Sequence, residues 1–237
     1  MRNGALAALV LGIALVIGMI GGGYMIGRGL FAARAADRYV TVKGLAEREV
    51  KANLAMWPIV FNATGNDLAT VQASLDASAK KIAAFLQARG FPATDYTVSS
   101  PRVTDREAQE GRAAGRPIDR YVAEQTVTLR SPRVEAVKSA IQRSGDLIRE
   151  GVALVRSYEY NTTFLYTALD SIKPAMIAEA TKDARKAAEQ FAHDSNSRVG
   201  GIRNAQQGYF DIQDRDAFSP EFKKVRVVTT IQYFLAE

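Results

Sequence analysis

The chain has 237 residues, of which 47% are apolar and 24% charged, a composition that is typical of a folded protein and excludes general disorder. It contains no cysteine and a single histidine, so disulfide frameworks, zinc fingers, cysteine nucleophiles and sites that need two imidazoles are excluded. The net charge of +6 divides into +3 over residues 1–36 and +3 over the remainder. A surface so weakly and evenly charged lacks the basic stripe of a nucleic-acid-binding protein, and we expect no nucleic-acid partner.

The N-terminal segment is the most apolar part of the chain. The 25 positions from 3 to 27 carry no charge, and about 20 apolar residues in a helix are enough to cross a bilayer. We therefore predict a transmembrane anchor with a short linker over residues 1–36, with the lipid bilayer as its partner. A cleaved secretory signal is the alternative, because Ala33-Arg34-Ala35 fits a small-x-small cleavage site. That site lies well beyond the apolar run, which favours an uncleaved anchor.

Small residues follow one face of this predicted helix. Ala14, Gly18 and Gly22 are spaced by four, and faces of this kind let helices approach closely in lipid. We predict that they pack against a second copy of the helix. The orientation in the membrane is left open by charge, because Arg2 flanks one side and Arg28 the other.

Residues 37–237 alternate between strand-like and helix-like patterns and are predicted to form one domain. The first strand is expected to stop at Gly44, and the last helix to turn Ile177, Ala187 and Phe191 inward together with two alanines. The order of elements predicts an α+β fold, in which a largely antiparallel sheet has its helices packed on one face and follows a single N-terminal transmembrane helix. The alternating and the three-to-four periodicities predict strands at 39–42, 54–64, 96–105, 121–130, 153–163, 199–206 and 224–235, and helices at 68–86, 131–145 and 170–194.

The second strand is apolar on both faces and contains a proline. Pro58 has no amide donor, which favours an edge strand or a bulge at this point. An edge strand that is apolar on both faces needs to be covered by another element or another subunit. We therefore predict that Met56, Trp57 and Pro58 contribute to a subunit interface.

A long polar segment follows the third strand. Residues 105–120 carry four basic and four acidic side chains, and the segment exceeds the ~2–5 residues of an ordinary hairpin loop. One interpretation is a flexible, solvated tip. The other is an arm that contacts a neighbouring subunit through Arg112 and Arg116, since balanced charge suits self-pairing.

No pattern in the chain demands catalysis. His193 is expected on the solvated side of its helix, and the acidic cluster Asp211, Asp214 and Asp216 does not match an EF-hand. We expect no enzymatic activity, no catalytic residue, no metal and no cofactor. A carboxylate- or metal-dependent hydrolase at the three aspartates is one alternative. Another is a binding module for a small apolar or aromatic ligand, lined by the tyrosines of the predicted strand and the residues after it: Tyr158, Tyr160 and Tyr166.

Two segments resemble the SIMPL-domain family, also called DUF541. One is Tyr39-Val-Thr-Val-Lys-Gly44, and the stronger one is Glu179-Ala-Thr-Lys-Asp-Ala-Arg-Lys-Ala-Ala-Glu-Gln-Phe-Ala192, followed by Val199-Gly200. The order of elements agrees over about residues 38–237. Two places depart from the family's pattern: Ala52-Asn53-Leu54-Ala55 replaces the usual Pro-Asp-x-Ala step, and Asp194-Ser195-Asn196 stands where a glycine is usual. Asparagine also tolerates the left-handed conformation, so the turn is expected to persist.

The resemblance implies a cell-envelope protein. Members of the family are typically exported by bacteria, some form ring-like oligomers, and some are associated with tolerance of oxidative stress. We therefore expect a homo-oligomeric, non-enzymatic scaffold or interaction protein of the bacterial inner membrane, with its soluble domain in the periplasm. No required small molecule is indicated, and the periplasmic ligand-binding module remains the alternative.

Overall fold

The computed structural model describes residues 2–35, 38–110, 119–156 and 160–236, and within the first helix it describes the side chains of residues 12, 13 and 15–29. The chain divides into two compact units that are each assembled from separate segments. The first unit comprises Met1–Glu47, Lys173–Phe210 and Arg226–Glu237, and the second comprises Arg48–Ile172 and Asp211–Val225. The single domain over residues 37–237 stays a prediction.

The fold is α+β with antiparallel sheets, as expected, but it contains two sheets where the sequence predicted one. In chain order the helices and strands are α1 (Arg2–Ala35), β1 (Tyr39–Lys51), β2 (Leu54–Gly65), α2 (Leu68–Ala88), β3 (Tyr96–Val98), β4 (Arg102–Asp105), α3 (Arg106–Glu110), β5 (Tyr121–Ser131), α4 (Val134–Gln142), α5 (Gly145–Arg149), β6 (Thr163–Leu165), α6 (Leu169–Asp194), β7 (Arg198–Gln207), β8 (Asp211–Asp214) and β9 (Phe222–Ala236).

The sheet of the second unit has the order β3-β5-β2-β6, with β4 also paired to β5. Its core combines the inward residues of β2 and β5 with the apolar stripe of α2, and the Trp57 and Phe85 rings meet edge to face at 6.4 Å. The helix begins at an Asp67 cap, whose carboxylate accepts a hydrogen bond from the Thr70 amide at 2.8 Å. It ends before Gly90, which adopts a φ of 82°. The predicted elements at 54–64, 68–86 and 121–130 are confirmed.

The expectation that β2 lies at an edge is wrong. β2 pairs with β5 along its length, from Ala55 to Gly65, and with β6 at Leu54–Met56 on its other side. On that side Asn62 donates its amide to the Ala153 carbonyl, and Val60 accepts from Val155. Pro58 lies between the stretch of β2 that pairs with β6 and the stretch that bonds to residues 153–155. The amide hydrogen that proline lacks therefore does not interrupt the pairing with β5. An interior strand can thus contain a proline at a point where its pairing on one side is interrupted.

Two other predicted strands are shorter in the structure. The strand expected at 96–105 is divided into β3 and β4, and Ser99 between them exchanges backbone and side-chain hydrogen bonds with Thr126. Of the strand expected at 153–163, the described part gives an isolated bridge between Leu154 and Phe61 and then β6. The helix expected at 131–145 is divided into α4 and α5.

The other sheet has the order β1-β9-β7, with β8 also paired to β9. In the first unit α6 packs against this sheet. Contrary to the prediction, β1 continues through Gly44 to Lys51. The glycine is a point of close approach rather than a stop, because a Cβ added there would lie 1.9 Å from the Ala180 carbonyl oxygen. One turn further along α6, the Asp183 carboxylate accepts the Leu45 amide at 2.9 Å. Strand and helix backbones therefore meet with no side chain between them.

The inner stripe of α6 also differs from the prediction. Ala180 and Ala184 are buried as expected, but Phe191 is 51% exposed, and Ile177 and Ala187 lie outside the buried stripe. The close approach of β1 at Gly44 leaves room only for small side chains at Ala180 and Ala184, and the buried residues of α6 are spaced by four. The buried residues are Met176, Ala180, Ala184, Ala188 and Ala192.

The first helix, α1, runs from Arg2 to Ala35. Within the stretches of chain that the structure describes, no helix combines the length and the hydropathy that crossing a membrane requires. The transmembrane anchor over residues 1–36 stays a prediction.

Replacing Gly44 by alanine should destabilise the protein. The new methyl group meets helix backbone, which cannot rotate away, so we expect the free energy of unfolding to fall by about 3 kcal/mol. Gly201→Ala is the matched control, because a Cβ at Gly201 finds open space, and its effect should stay within ~1 kcal/mol. Denaturant titration followed by circular dichroism measures both variants. Equal effects of the two substitutions would contradict the close-approach explanation.

Candidate interaction site

The hairpin formed by β8 and β9 presents the most exposed phenylalanine of the described chain. The turn between the strands spans residues 215–221, and Phe218 within it is 96% exposed. The turn is internally bonded: Phe218 donates its amide to the Asp216 carboxylate at 2.9 Å, and Phe222 donates to the Ser219 carbonyl at 3.0 Å. A defined backbone therefore holds an apolar ring in the solvent.

Ion pairs hold the base of this hairpin. Lys223 is only 8% exposed and is paired with Asp214 across the two strands. Arg215 lies 3.6 Å from the Glu49 carboxylate, and its guanidinium stacks 4.4 Å from the centre of the Phe222 ring. Contact with Arg215 lowers the pKa of the Asp216 carboxyl, so this turn residue stays ionised.

Four alternating charges connect the turn to α4 and to the end of β1. Lys51 pairs with Glu135 at 2.7 Å, and Lys138 pairs with Glu221. Glu221 also accepts the Ala52 amide through its backbone carbonyl at 2.7 Å. We call Lys51, Glu135, Lys138 and Glu221 the four-charge cluster.

The hydrogen bonds in the four-charge cluster shift the pKa values of Glu135, Lys138 and Glu221. The hydrogen bond from Lys138 lowers the pKa of Glu221, and the same bond raises the pKa of Lys138. The hydrogen bond from Lys51 lowers the pKa of Glu135. The side chain of Glu221 is only 8% exposed, whereas the others keep contact with solvent. The two ion pairs therefore stabilise the charged forms of Glu135, Lys138 and Glu221, and the charges of the cluster are compensated pairwise.

A cleft of about 300 Å³ opens beside the four-charge cluster. Its walls are mainly apolar, and its rim carries charges. Arg133 on the rim is held in place, since it donates to the Gly90 carbonyl at 2.6 Å and its guanidinium lies 4.7 Å from the centre of the Phe91 ring. The lining residues are Lys51, Ala52, Pro132, Arg133, Val134, Glu135 and Ala136.

The sequence-predicted interface residues do not come together at this site. Trp57 is 7% exposed and belongs to the core, and Met56 and Pro58 lie half-buried in β2 between its neighbours. Their interface role was inferred from an edge position of β2, and that position is wrong. The role itself stays a prediction. Arg112 and Arg116 lie outside the described residues. At the base of their arm, Arg120 pairs with Asp105 at 2.8 Å.

The small residues of α1 face open space. A Cβ placed at Gly18 or Gly22 meets nothing within 4 Å, and the Ala14 side chain is outside the described set. Their packing against a second helix stays a prediction. Tyr24 and Arg28, one turn apart near the end of the apolar run, form a cation–π contact of 5.3 Å.

The candidate residues for catalysis or metal binding are separated from one another or already paired. His193 has an 86% exposed side chain and contacts Asp194 at 3.3 Å. Asp211 accepts from Gln213 at 2.8 Å, while Asp214 and Asp216 bind the basic residues described above. Among the described residues, no group of three or more acidic or imidazole side chains is placed to hold a metal.

The tyrosines expected to line a ligand pocket are only partly placed. Tyr158 lies outside the described residues, Tyr160 is 40% exposed and Tyr166 is half-buried. A separate open cavity of about 680 Å³ lies in the first unit, where Tyr39 and Phe191 contribute rings and Ser195–Ser197 contribute polar groups. The ligand-binding interpretation stays a prediction.

The comparisons with known proteins identify the family of the chain. The profile of the SIMPL family, described as a protein of unknown function (DUF541), matches residues 40–233. The chain therefore belongs to the SIMPL family, as the sequence resemblance indicated. No curated protein matches it. A crystal structure described as a hydrolase from Listeria innocua is similar at 17% identity over 80% of this chain and 91% of that one, with a TM-score of 0.20.

Sequence reasoning missed the main parts of this site. No local pattern assigns a role to Phe218, and none links Lys138 with Glu221, because the two lie 83 positions apart in the chain. One signal was present: an aromatic residue followed by Ser219-Pro220 between two strands marks a stiff turn that displays an apolar side chain.

Removing the Glu221 charge should destabilise the protein in a pH-dependent way. Glu221→Gln leaves Lys138 without its partner, and we expect a loss of about 1–2 kcal/mol at pH 7. Because the pKa of Glu221 is lowered on folding, its stabilisation is present above the ordinary glutamate pKa of about 4.3 and is lost as the pH falls through the folded value. The difference between variant and wild type should therefore shrink in acid, as measured by urea unfolding from pH 7 to 3.

The matched control for this measurement is Glu189→Gln. Glu189 pairs with Arg185 at 3.0 Å, but both side chains are more than half exposed, so the substitution should cost at most about 0.5 kcal/mol. A Glu221→Gln difference that stays constant across the pH range would contradict the ionic explanation.

Proposed function

We propose that this SIMPL-family chain is a single-pass protein of the bacterial inner membrane whose α+β body lies in the periplasm and acts as a non-enzymatic, self-assembling scaffold. The observation that carries the proposal is the exposure of α1. Large apolar side chains along the helix are more than half exposed, namely Ile13, Leu15, Val16, Ile17, Met19, Ile20, Tyr24, Met25 and Ile26. A soluble monomer rarely exposes an apolar surface of that extent.

A lipid bilayer is the environment that suits this helix. The uncharged run of residues 3–27 extends beyond the side chains that the structure describes, and 25 residues in a helix span about 37 Å, more than the ~30 Å hydrocarbon layer. Tyr24 and Arg28 are residue types that accumulate where a span meets the headgroups. The cation–π contact between them supports an anchored end at this point.

The side of the membrane is proposed from the family. Charges at the two ends of the run are balanced, and members of the family are typically exported, which supports a periplasmic body. The absence of cysteine is compatible with that compartment.

One feature of α1 supports self-assembly. The small residues Gly18 and Gly22 lie on α1 with open space beside them, which permits a close approach of a second helix in lipid. In the body, β7 ends the order β1-β9-β7, and almost all of its side chains are exposed. Its bulges near Ile202 are a common device for limiting uncontrolled pairing at a sheet edge. The helix therefore supports a defined assembly, and the bulged strand limits unregulated growth.

Charging the apolar run should release the chain from the membrane. Each lysine at the centre of a span costs ~2.5–3.5 kcal/mol, so Val16→Lys combined with Ile20→Lys should move the protein from the membrane pellet to the alkaline carbonate supernatant. Val16→Leu combined with Ile20→Leu is the matched control and should stay in the pellet. Release of the wild-type chain by carbonate, or retention of the lysine variant, would overturn the anchor.

Self-assembly predicts a particle heavier than one chain of 25.8 kDa in mild detergent. Light scattering coupled to size exclusion should give a multiple of that mass for the wild type. Gly18→Ile combined with Gly22→Ile should lower the assembled fraction, whereas Gly27→Ile, on the opposite face of α1, should leave it unchanged. A strictly monomeric wild type would contradict the proposed scaffold function.

A further inference from the structure

We infer that the end of the first unit at which β1 begins lies on the surface of the phospholipid bilayer, with exposed aromatic side chains in the headgroup layer. This contact rests on the membrane anchor in the proposed function and adds a second, peripheral attachment of the body to the same bilayer. We call this part of the first unit the tethered end. It consists of the start of β1, the last turn of α6, the turn at residues 195–197, the start of β7 and the end of β9.

Backbone pairing brings these segments together. Leu235 near the end of β9 donates its amide to the Arg38 carbonyl at 2.9 Å, which places the end of β9 beside the start of β1. On the other side of β9, Arg198 at the start of β7 is in register with Ala236. The helix α6 ends at Asp194, four positions before Arg198, so its last turn lies at the same end of the unit.

The connection between α1 and the tethered end is very short. The helix ends at Ala35 and β1 begins at Tyr39, so at most about 14 Å of extended chain separates them. From Arg28, the first charge after the uncharged run, α1 continues to Ala35 for about 10 Å. Tyr39 therefore lies within about 25 Å of the level at which the span meets the headgroups. Because so short a connection keeps the body at a high effective concentration beside the bilayer, even individually weak contacts with lipid form.

Aromatic side chains are exposed at the tethered end. Tyr39 is 44% exposed, Phe191 in the last turn of α6 is 51% exposed, and Phe234 in β9 is 37% exposed. The guanidinium of Arg203 lies 4.0 Å from the centre of the Tyr39 ring and 6.0 Å from that of the Phe234 ring. Aromatic rings beside polar groups are typical of the headgroup level of a membrane, where one part of the side chain meets apolar lipid and another meets water.

The open cavity of about 680 Å³ described above lies at the tethered end. Tyr39, Phe191 and Leu235 supply its apolar lining, and Ser195–Ser197 supply hydroxyl and amide groups. Such a mixture of apolar and polar groups suits the phosphate and glycerol layer of a bilayer, which is itself mixed. Basic and acidic side chains both occur at the tethered end, so we expect the contact with zwitterionic phospholipids and without a requirement for anionic ones.

Fluorescence quenching by labelled lipid tests the contact. The full chain contains no native cysteine, so Ser195→Cys carries a single fluorescent label at the tethered end. Gln207→Cys is the matched control, because position 207 is also exposed and lies at the other end of β7. Both full-length variants are reconstituted into phosphatidylcholine vesicles in which part of the lipid carries a nitroxide on its headgroup. Because β7 is about 30 Å long, we expect quenching at position 195 to be roughly twofold stronger, or more, than at position 207.

The two possible failures of this experiment are distinguishable. Equal quenching at the two positions, in a chain that alkaline carbonate leaves in the membrane pellet, would overturn the contact and leave the anchor standing. A second copy or a soluble ligand that covers the tethered end would give that result. Release of the wild-type chain by carbonate would remove the anchor and the lipid contact together.

A second measurement tests the aromatic side chains. Phe191→Asp replaces an exposed ring by a carboxylate that lipid phosphates repel, and it should bring the quenching at position 195 down towards the level at position 207. Tyr209→Asp is the matched control, because it removes a 99% exposed ring just beyond the other end of β7, and it should leave the quenching unchanged. Thermal unfolding should be alike in the two variants, because neither ring is buried. Unchanged quenching in the Phe191→Asp variant would overturn the lipid contact.

Discussion

The first unit depends on the contact between the backbones of β1 and α6 at Gly44. A Cβ at that position would lie 1.9 Å from the Ala180 carbonyl oxygen and 2.4 Å from the Ala184 nitrogen. So close an approach requires glycine on the strand and small residues, Ala180 and Ala184, at the contact on the helix. The adjacent bond from the Leu45 amide to Asp183 fixes the register of strand against helix. These contacts determine the distance between β1 and α6, whereas core residues elsewhere mainly fill space.

The second unit is organised by a different interaction. Its core of β2, β5 and α2 is an ordinary apolar cluster, and the unusual feature is the group of charges that ties the β8–β9 hairpin to α4 and to the end of β1. The buried carboxylate of Glu221 is stabilising only because Lys138 pairs with it, and the more exposed Lys51 and Glu135 form a second pair beside them. Since the hairpin is held in this way, it can display Phe218 in the solvent without being loose.

The sequence predicted those features that depend on local pattern. The alternation in β9 and β5 and the three-to-four spacing in α2 are confirmed, because burial on one side of an element shows directly in its periodicity. The predictions that β1 stops at Gly44 and that β2 is an edge strand at Pro58 are wrong, because each rests on local sequence alone. From the sequence alone Gly44 indicates the end of a strand, and only the structure shows the helix backbone that lies against it. Pro58 likewise indicates an edge strand, and only the structure shows that the pairing on one side of β2 is interrupted there. The four-charge cluster was beyond reach, because its members come from three distant segments.

The division of the chain into interleaved segments bears on how the protein is made. In the first unit β9 lies between β1 and β7, yet it follows both of them in the chain and also follows α6. Translation proceeds from the N-terminus, so those three elements emerge from the ribosome before the strand that joins them. Val40 and the alanine face of α6 are consequently without their sheet partner for the time that synthesis of the remainder takes. The sheet of the first unit can therefore close only after β9 has been synthesised.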